Sequence, residues 1–259
     1  MSFVDSHSHL ADPRIEANVD ELIAKAQGLN IQTFIQGGIG PEDWQRQINL
    51  KKKHPCLELC FGLHPYFVAD HSDEECEEVL NLLPKMLAQA VAIGEMGFDF
   101  RPEIIKDSLE RQISIFEKQI EIAQFANKPM VLHIVRAHAQ VMTCFALWGV
   151  PSAKGMVHSF NGDRAQLFDF LELGLFISVG GPICRPNNTQ LHEAIKECPL
   201  EALLLETDSP DQPPPGISKG QNEPSTLIEV AKKVSEIKKI PFQEVLDRSS
   251  QNARKLFNL

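Results

Sequence analysis

Six side chains able to bind metal recur at one place in successive strand-like runs: His7 and His9, Glu95, His133, His158 and Asp208, each at the close of a short apolar stretch. Phe3-Val4-Asp5 leads to His7, Val91-Ala92-Ile93 to Glu95, Met130-Val131-Leu132 to His133, Gly155-Met156-Val157 to His158, and Leu203-Leu204-Leu205 to Glu206-Thr207-Asp208. Charged and imidazole groups are costly inside apolar runs unless something offsets them. Their place at the C-terminal end of each run predicts that they converge on one mouth, and the set reads as a dinuclear metal-hydrolase site.

Each residue type suits that chemistry. His7 and His9 are two positions apart, so on an extended strand they face the same side and can chelate one ion. Glu95 stands in Gly94-Glu95-Met96-Gly97, where the glycines permit close approach to a neighbour, and its two oxygens can bridge two cations. Asp208 offers a carboxylate that can ligate a metal or take a proton from bound water. His64, locked before Pro65, is a candidate for touching a substrate phosphate or a reaction-site oxygen. Singly, each has an ordinary explanation as a solvated strand end, a turn carboxylate, a hydrogen-bonded core histidine or a helix cap. Recurrence at equivalent positions is what favours a metal site. His54, His71, His138 and His192 fall on predicted helices or loops away from strand ends and read as surface or structural.

The apolar runs are continuous rather than alternating, as in parallel strands buried on both faces. Strands are predicted from Phe3, over Thr33–Gly38 and Leu57–Leu63, from Val91, from Met130, and over Met156–His158, Leu175–Val179 and Ala202–Glu206. Helical spacing lies between them, at Val19–Gly28, Pro41 to about Lys53, Asp73–Gln89, Leu109–Asn127, about Ala137–Trp148, Arg164–Glu172 and Thr189–Glu197. A Pro- and Gly-rich loop over Asp211–Glu223 precedes two closing helices, Ser225–Lys238 and Phe242–Phe257. Eight β and α units in alternation predict an α/β fold, a single (β/α)8 TIM barrel with the metal site at the C-terminal ends of its strands. A length of 259 residues suits one such domain, spanning 1–259.

Composition narrows the function. The formal net charge of −10 argues against a broad electrostatic footprint for nucleic acid. A small metal-centred phosphate site is still allowed, because bound divalent ions can reverse the sign of an acidic pocket. Met1-Ser2-Phe3-Val4-Asp5 lacks the basic-then-apolar layout of a signal peptide, and no apolar run is long enough to cross a membrane; the expectation is a soluble, cytoplasmic protein. Cys56, Cys60, Cys76, Cys144, Cys184 and Cys198 contain no CxxC pair and read as reduced, structural thiols.

The chemistry-bearing residues fall in an ordered set of motifs over nearly the whole chain: Asp5-Ser6-His7-Ser8-His9, Gly62-Leu63-His64-Pro65, Gly94-Glu95-Met96-Gly97-Phe98-Asp99, His133, His158-Ser159-Phe160, Glu206-Thr207-Asp208-Ser209-Pro210 and Asn222-Glu223-Pro224. In this set the sequence closely resembles the TatD family of metal-dependent deoxyribonucleases, within the wider amidohydrolase-like barrels. The resemblance implies two divalent metal ions, one held by His7, His9, Glu95 and Asp208 and a second by Glu95, His133 and His158, with Glu95 bridging. It also implies phosphodiester hydrolysis at DNA ends, commonly as a 3′ to 5′ exonuclease with Mg2+ or Mn2+. Asp208, Glu95 and His64 are then the catalytic residues: Asp208 orients a water and accepts its proton, and His64 contacts the substrate phosphate. The imidazole content of the ligand set leans toward Zn2+ or Mn2+ as the resident ion. No membrane and no obligatory protein partner is implied.

Two departures from the family bear on substrate grip. Members often carry Arg where this chain has Val135, and Arg directly before the Asn-x-Pro segment, where this chain has Gln221. Both changes remove a bidentate phosphate partner, for which Arg136, Arg185 and Lys219 could substitute. A second reading is an ester or amide hydrolase, such as an aminoacyl-tRNA deacylase, since a bridged hydroxide also attacks carbonyl carbon. A third, a non-catalytic metal-binding scaffold, is disfavoured because no ligand or base is missing.

Overall fold

The computed structural model describes residues 2–259. The described residues form nine short strands: β1 (Phe3–Ser8), β2 (Ile31–Gln36), β3 (Leu57–Glu58), β4 (Cys60–Phe61), β5 (Ala92–Asp99), β6 (Met130–Val135), β7 (Gly155–Val157), β8 (Phe176–Val179) and β9 (Leu203–Leu205). All pair in parallel, in the orders β1-β2-β3 and β4-β5-β6-β7-β8-β9. Only Leu59 separates β3 from β4, and its carbonyl accepts from Val91 N–H, so the two pieces are the halves of the single third strand expected from sequence.

The other gap in the ladder lies between β9 and β1, where the chain supplies other links. Asp208 N–H donates to His7 O at 3.0 Å and His9 N–H to Ser209 O at 2.7 Å, just beyond the end of β9. Deeper in, the Ser6 hydroxyl donates to Leu205 O, and the buried Asp5 carboxylate accepts from both Thr207 N–H and Thr207 Oγ1. The last helix, Phe242–Phe257, grips both edges: Val4 N–H donates to Ser250 Oγ, Leu205 N–H to Ser249 Oγ, and Asn252 Nδ2 to Leu203 O. The fold is the α/β barrel that the eightfold alternation predicts.

One side chain from nearly every strand points to the barrel axis at its N-terminal end, in a layer of Val4, Ile35, Cys60, Ala92, Val131, Met156 and Leu204. Ala253, Leu256 and Phe257 of the last helix plug that end, each large apolar side chain contributing about 1.5–3 kcal/mol by leaving water. The outer shell, between strands and helices, holds the larger core. Chemistry is thereby confined to the opposite, C-terminal mouth. No helix among the described residues is long and apolar enough to cross a membrane.

Helix bounds follow local chemistry. Ser72 and Glu75 form a reciprocal cap before Asp73–Met86, Asp163 and Gln166 another before Arg164–Glu172, and Asn127 ends Leu109–Ala126 in the left-handed conformation. Sequence patterning does not anticipate two short helices, Pro65–Asp70 and Pro102–Ile105, each opened by a proline at its first position. Ser225 proves to lie in a 3-10 turn, Pro224–Thr226, and the helix proper is Leu227–Lys238.

Candidate metal centre

All seven residues singled out from sequence meet at this mouth, and two bulges explain how. In β1 the register with β2 shifts between Asp5 and Ser8, so the segment carrying His7 is displaced from regular pairing. In β5 it shifts between Gly94 and Met96, leaving Glu95 as the extra residue of a bulge, a device that re-aims a side chain. This corrects the expectation that Glu95 closes its strand: β5 runs on to Asp99. Gly37, at the end of β2, leaves the space the ligands occupy. A Cβ there would stand 2.5 Å from His9 Cε1, 2.6 Å from His7 Cε1 and 2.8 Å from Glu95 Oε2.

The two oxygens of Glu95 face two different sets of atoms. Oε2 lies 3.3 Å from His7 Nε2 and 2.9 Å from His9 Nε2; those nitrogens are 3.3 Å apart and stand 3.6 and 3.4 Å from Asp208 Oδ1. Oε1 lies 3.2 Å from His133 Nδ1 and 2.8 Å from His158 Nε2, themselves 3.2 Å apart. Ligand bonds of about 2.1 Å place the corners of a tetrahedron about 3.4 Å from one another. The donor sets match that spacing, and Glu95 Oε2 is a buried atom with no hydrogen-bond partner. The residues present therefore fit a metal centre, with the two Glu95 oxygens facing separate donor groups.

Second partners fix how the rings present themselves. His133 Nε2 is 3.1 Å from Asp99 Oδ2, which leaves Nδ1 to face the centre. His158 Nδ1 faces Glu206 Oε1 at 3.6 Å, an ion-pair rather than a hydrogen-bond distance. His64 differs. Its Nδ1 accepts from Tyr66 N–H at 3.0 Å, so in the neutral ring Nε2 carries the proton and points inward, 3.1 Å from His133 Nδ1 and 3.6 Å from Glu95 Oε1. Such a ring is a hydrogen-bond donor into the site.

Electrostatics sharpen this division. Burial opposes charge on His9 and His158, but Glu95 and a second carboxylate beside each, Asp208 and Glu206, outweigh it and raise both pKa values well above the ordinary range. Burial also opposes charge on His133, yet Asp99 and Glu95 raise it. Burial, reinforced by the His133 ring, pushes His64 well below the ordinary value and keeps it neutral. For Glu95 and Asp208, burial is outweighed by the surrounding imidazoles and both are lowered.

The centre opens into a cleft of about 960 Å³. Arg185 and Lys219 line it, and among the described residues neither has a carboxylate within ion-pair reach. Arg136 is exposed and does not line the cleft, and Gln221 lines a neighbouring polar hollow instead. Val135, Ile39, Pro213, Pro214, Pro215 and Ile217 give the cleft apolar lining. Tyr66 and Arg101 stand on the rim, the guanidinium 5.2 Å from the ring centroid and held by Asp99. His54, His71, His138 and His192 lie elsewhere, bound to Asp20, Phe67 O, Asp169 and Ile183 O.

Sequence reasoning assigned no role to Asp99, Glu206, Tyr66 or Arg101. For Asp99 a signal existed: an acidic residue on the same strand as Glu95, beyond the paired glycines.

A family model described as TatD related DNase matches residues 4–258. The chain is 30% identical over 257 residues to the Escherichia coli protein named uncharacterized metal-dependent hydrolase YjjV, covering 99% of this chain and 98% of that one. The crystal structure of YjjV, described as a TatD homologue, superposes with a TM-score of 0.90 over 99% of this chain and 98% of that one, at 29% identity. The chain is also 30% identical to a 3′-5′ ssDNA/RNA exonuclease TatD from Erwinia tasmaniensis, over 97% of this chain and 98% of that one. Human deoxyribonuclease TATDN3 is 26% identical, over 99% and 95%.

Proposed function

The chain belongs to the TatD-related DNase family of metal-dependent hydrolases, and from that premise we propose that it cleaves phosphodiester bonds at DNA ends as a 3′ to 5′ exodeoxyribonuclease. One domain, 1–259, carries the activity. The observation that supports this reading best is the split orientation of the Glu95 carboxylate, Oε2 toward His7 and His9, Oε1 toward His133 and His158.

His7, His9, Glu95 and Asp208 would hold one divalent ion, and Glu95, His133 and His158 the other; Zn2+, Mn2+ and Mg2+ are the candidates. Once bound, such a pair supplies a water acidified to near neutral pKa and charge to stabilise the attacking and leaving oxygens. Asp208 orients the attacking water and takes its proton. His64 donates its inward N–H to a non-bridging phosphate oxygen, and it can do so across the working pH range because its ring stays neutral. Arg185 and Lys219 attract the strand behind the scissile phosphate. They do the work that arginines at positions 135 and 221 do not do here.

The apolar lining from Val135, Ile39 and the three prolines favours a second reading, hydrolysis of an ester or amide such as an aminoacyl-tRNA. One experiment separates the two. Single-stranded DNA labelled at its 3′ or 5′ end is incubated with protein loaded separately with Mg2+, Mn2+ or Zn2+, with Glu95→Ala as control. Stepwise shortening from the 3′ end, absent in the control, is the expected result. No cleavage by metal-loaded protein transfers the proposal to the carbonyl substrate.

A further inference from the structure

Three residues around the centre have left-handed backbones although none is glycine: Ser159 (φ 47), Asp208 (φ 55) and Gln212 (φ 49). Non-glycine residues seldom adopt this conformation, and they do so where surrounding structure over-determines them. Here the three form one hydrogen-bonded chain. Gln212 Nε2 donates to Asp208 Oδ2 at 2.7 Å, and the Ser159 hydroxyl donates to Gln212 Oε1 at 2.7 Å. Ser159 N–H in turn donates to Glu206 Oε1 at 2.6 Å, the oxygen that faces His158.

We propose that Gln212 is a positioning residue that fixes Asp208 for its work and couples it to the loop walling the substrate cleft. The geometry gives Asp208 two unequal oxygens. Oδ1 faces His7 and His9, where an ion would sit, while Oδ2 accepts from the Gln212 amide and keeps one lone pair for a water. Gln212 opens the segment whose next residues, Pro213, Pro214, Pro215, Ile217 and Lys219, line the cleft. That segment is tied down at both ends. Asp211 N–H donates to Asp208 O, and the buried Asn222 side chain donates to Thr207 O and Asp211 O. A substrate that presses on this segment therefore reaches the carboxylate most directly through the Gln212 amide.

This inference rests on the proposed hydrolysis but is tested separately from it. Gln212→Ala, Gln212→Glu, Ser159→Ala and the Gln212→Ala/Ser159→Ala pair are compared with the wild type at saturating metal, on the DNA substrate or, failing that, on a carboxylic ester. Mn2+ affinity is titrated alongside. Partners that orient a metal site through its ligands typically contribute about 10–100-fold to affinity or activity. A loss of that size in kcat or in Mn2+ affinity is expected for Gln212→Ala, with KM changed by less than about threefold and the double variant no worse than Gln212→Ala alone. Gln212→Glu, which replaces the donating amide by an acceptor, should lose at least as much and serves if the alanine variant misfolds. Unchanged kcat and Mn2+ affinity, a loss confined to KM, or losses that multiply in the double variant would each overturn the proposal. Absence of DNA cleavage by the wild type counts against the nuclease reading alone, because the ester and Mn2+ measurements still report on Gln212.

Discussion

Asp99 Oδ2 sits 3.1 Å from His133 Nε2, and the same carboxylate receives the backbone N–H and Nε of Arg101. One buried group thus turns a ring on the metal side and holds a guanidinium on the rim. The proton on Nε2 keeps the Nδ1 lone pair aimed at the centre. Asp99→Asn is expected to weaken metal binding about 10–100-fold while leaving circular dichroism unchanged. Calorimetric titration with Zn2+ or Mn2+ provides the check, and wild-type affinity would count against the role.

Asp208→Asn keeps the shape of the side chain but removes a charge and a proton acceptor. Loss of a general base typically costs about 10²–10⁴-fold, so turnover should fall at least 100-fold with the fold retained. Full activity in the variant would refute the role assigned to this carboxylate.

Gly37→Ala places a methyl where His7, His9 and Glu95 already stand, at 2.5 to 2.8 Å. The ligands must move, and displacement of about 1 Å in a reacting constellation costs on the order of 10²-fold. The expected outcome is reduced metal content by elemental analysis and a corresponding loss of turnover. Wild-type metal content would mean that the strand end yields in place of the ligands.

Stability without metal should depend on pH in a defined direction. His9 and His158 have raised folded pKa values, so their contribution is complete below the unfolded value of about 6.5 and is lost as pH rises through the folded values. Glu95 and Asp208 are depressed, so theirs is present above about 4 and is lost as pH falls through the folded values. Metal must displace the histidine protons and replaces what they contribute. The rise in Tm on adding saturating Mn2+ is therefore expected to be larger at pH 8.5 than at pH 6. An equal rise at both values would show that these protons and the metal do not compete.

Much of this was legible in the sequence because it is local. Helix bounds at Val19–Gly28, Pro41–Lys53 and Arg164–Glu172 match because caps, prolines and apolar spacing lie within the segments themselves. The clustering of the candidate ligands was legible because each ends or adjoins an apolar run. The interior position of Glu95 in β5 was not, since a bulge is a property of two strands and its partner, β6, lies over thirty residues away. Gln212 was equally hidden. In sequence it is a polar residue in a Pro-rich loop, and only the turn through Asp208 and the positive φ of Ser159 bring its amide to the site.

The gap between β9 and β1 gives the metal a second consequence. His7 and His9 lie on one side of that seam and Asp208 on the other, so an ion shared among them would be a clasp between the beginning and the end of the chain. An opening that peels away the last strand and the helix behind it would part Asp208 from His7 and His9. Such a partly open form binds metal less tightly than the closed one, and mass action then works against it. Proteolytic nicking of the C-terminal segment should therefore slow as free metal rises, in step with the shrinking population of the open form.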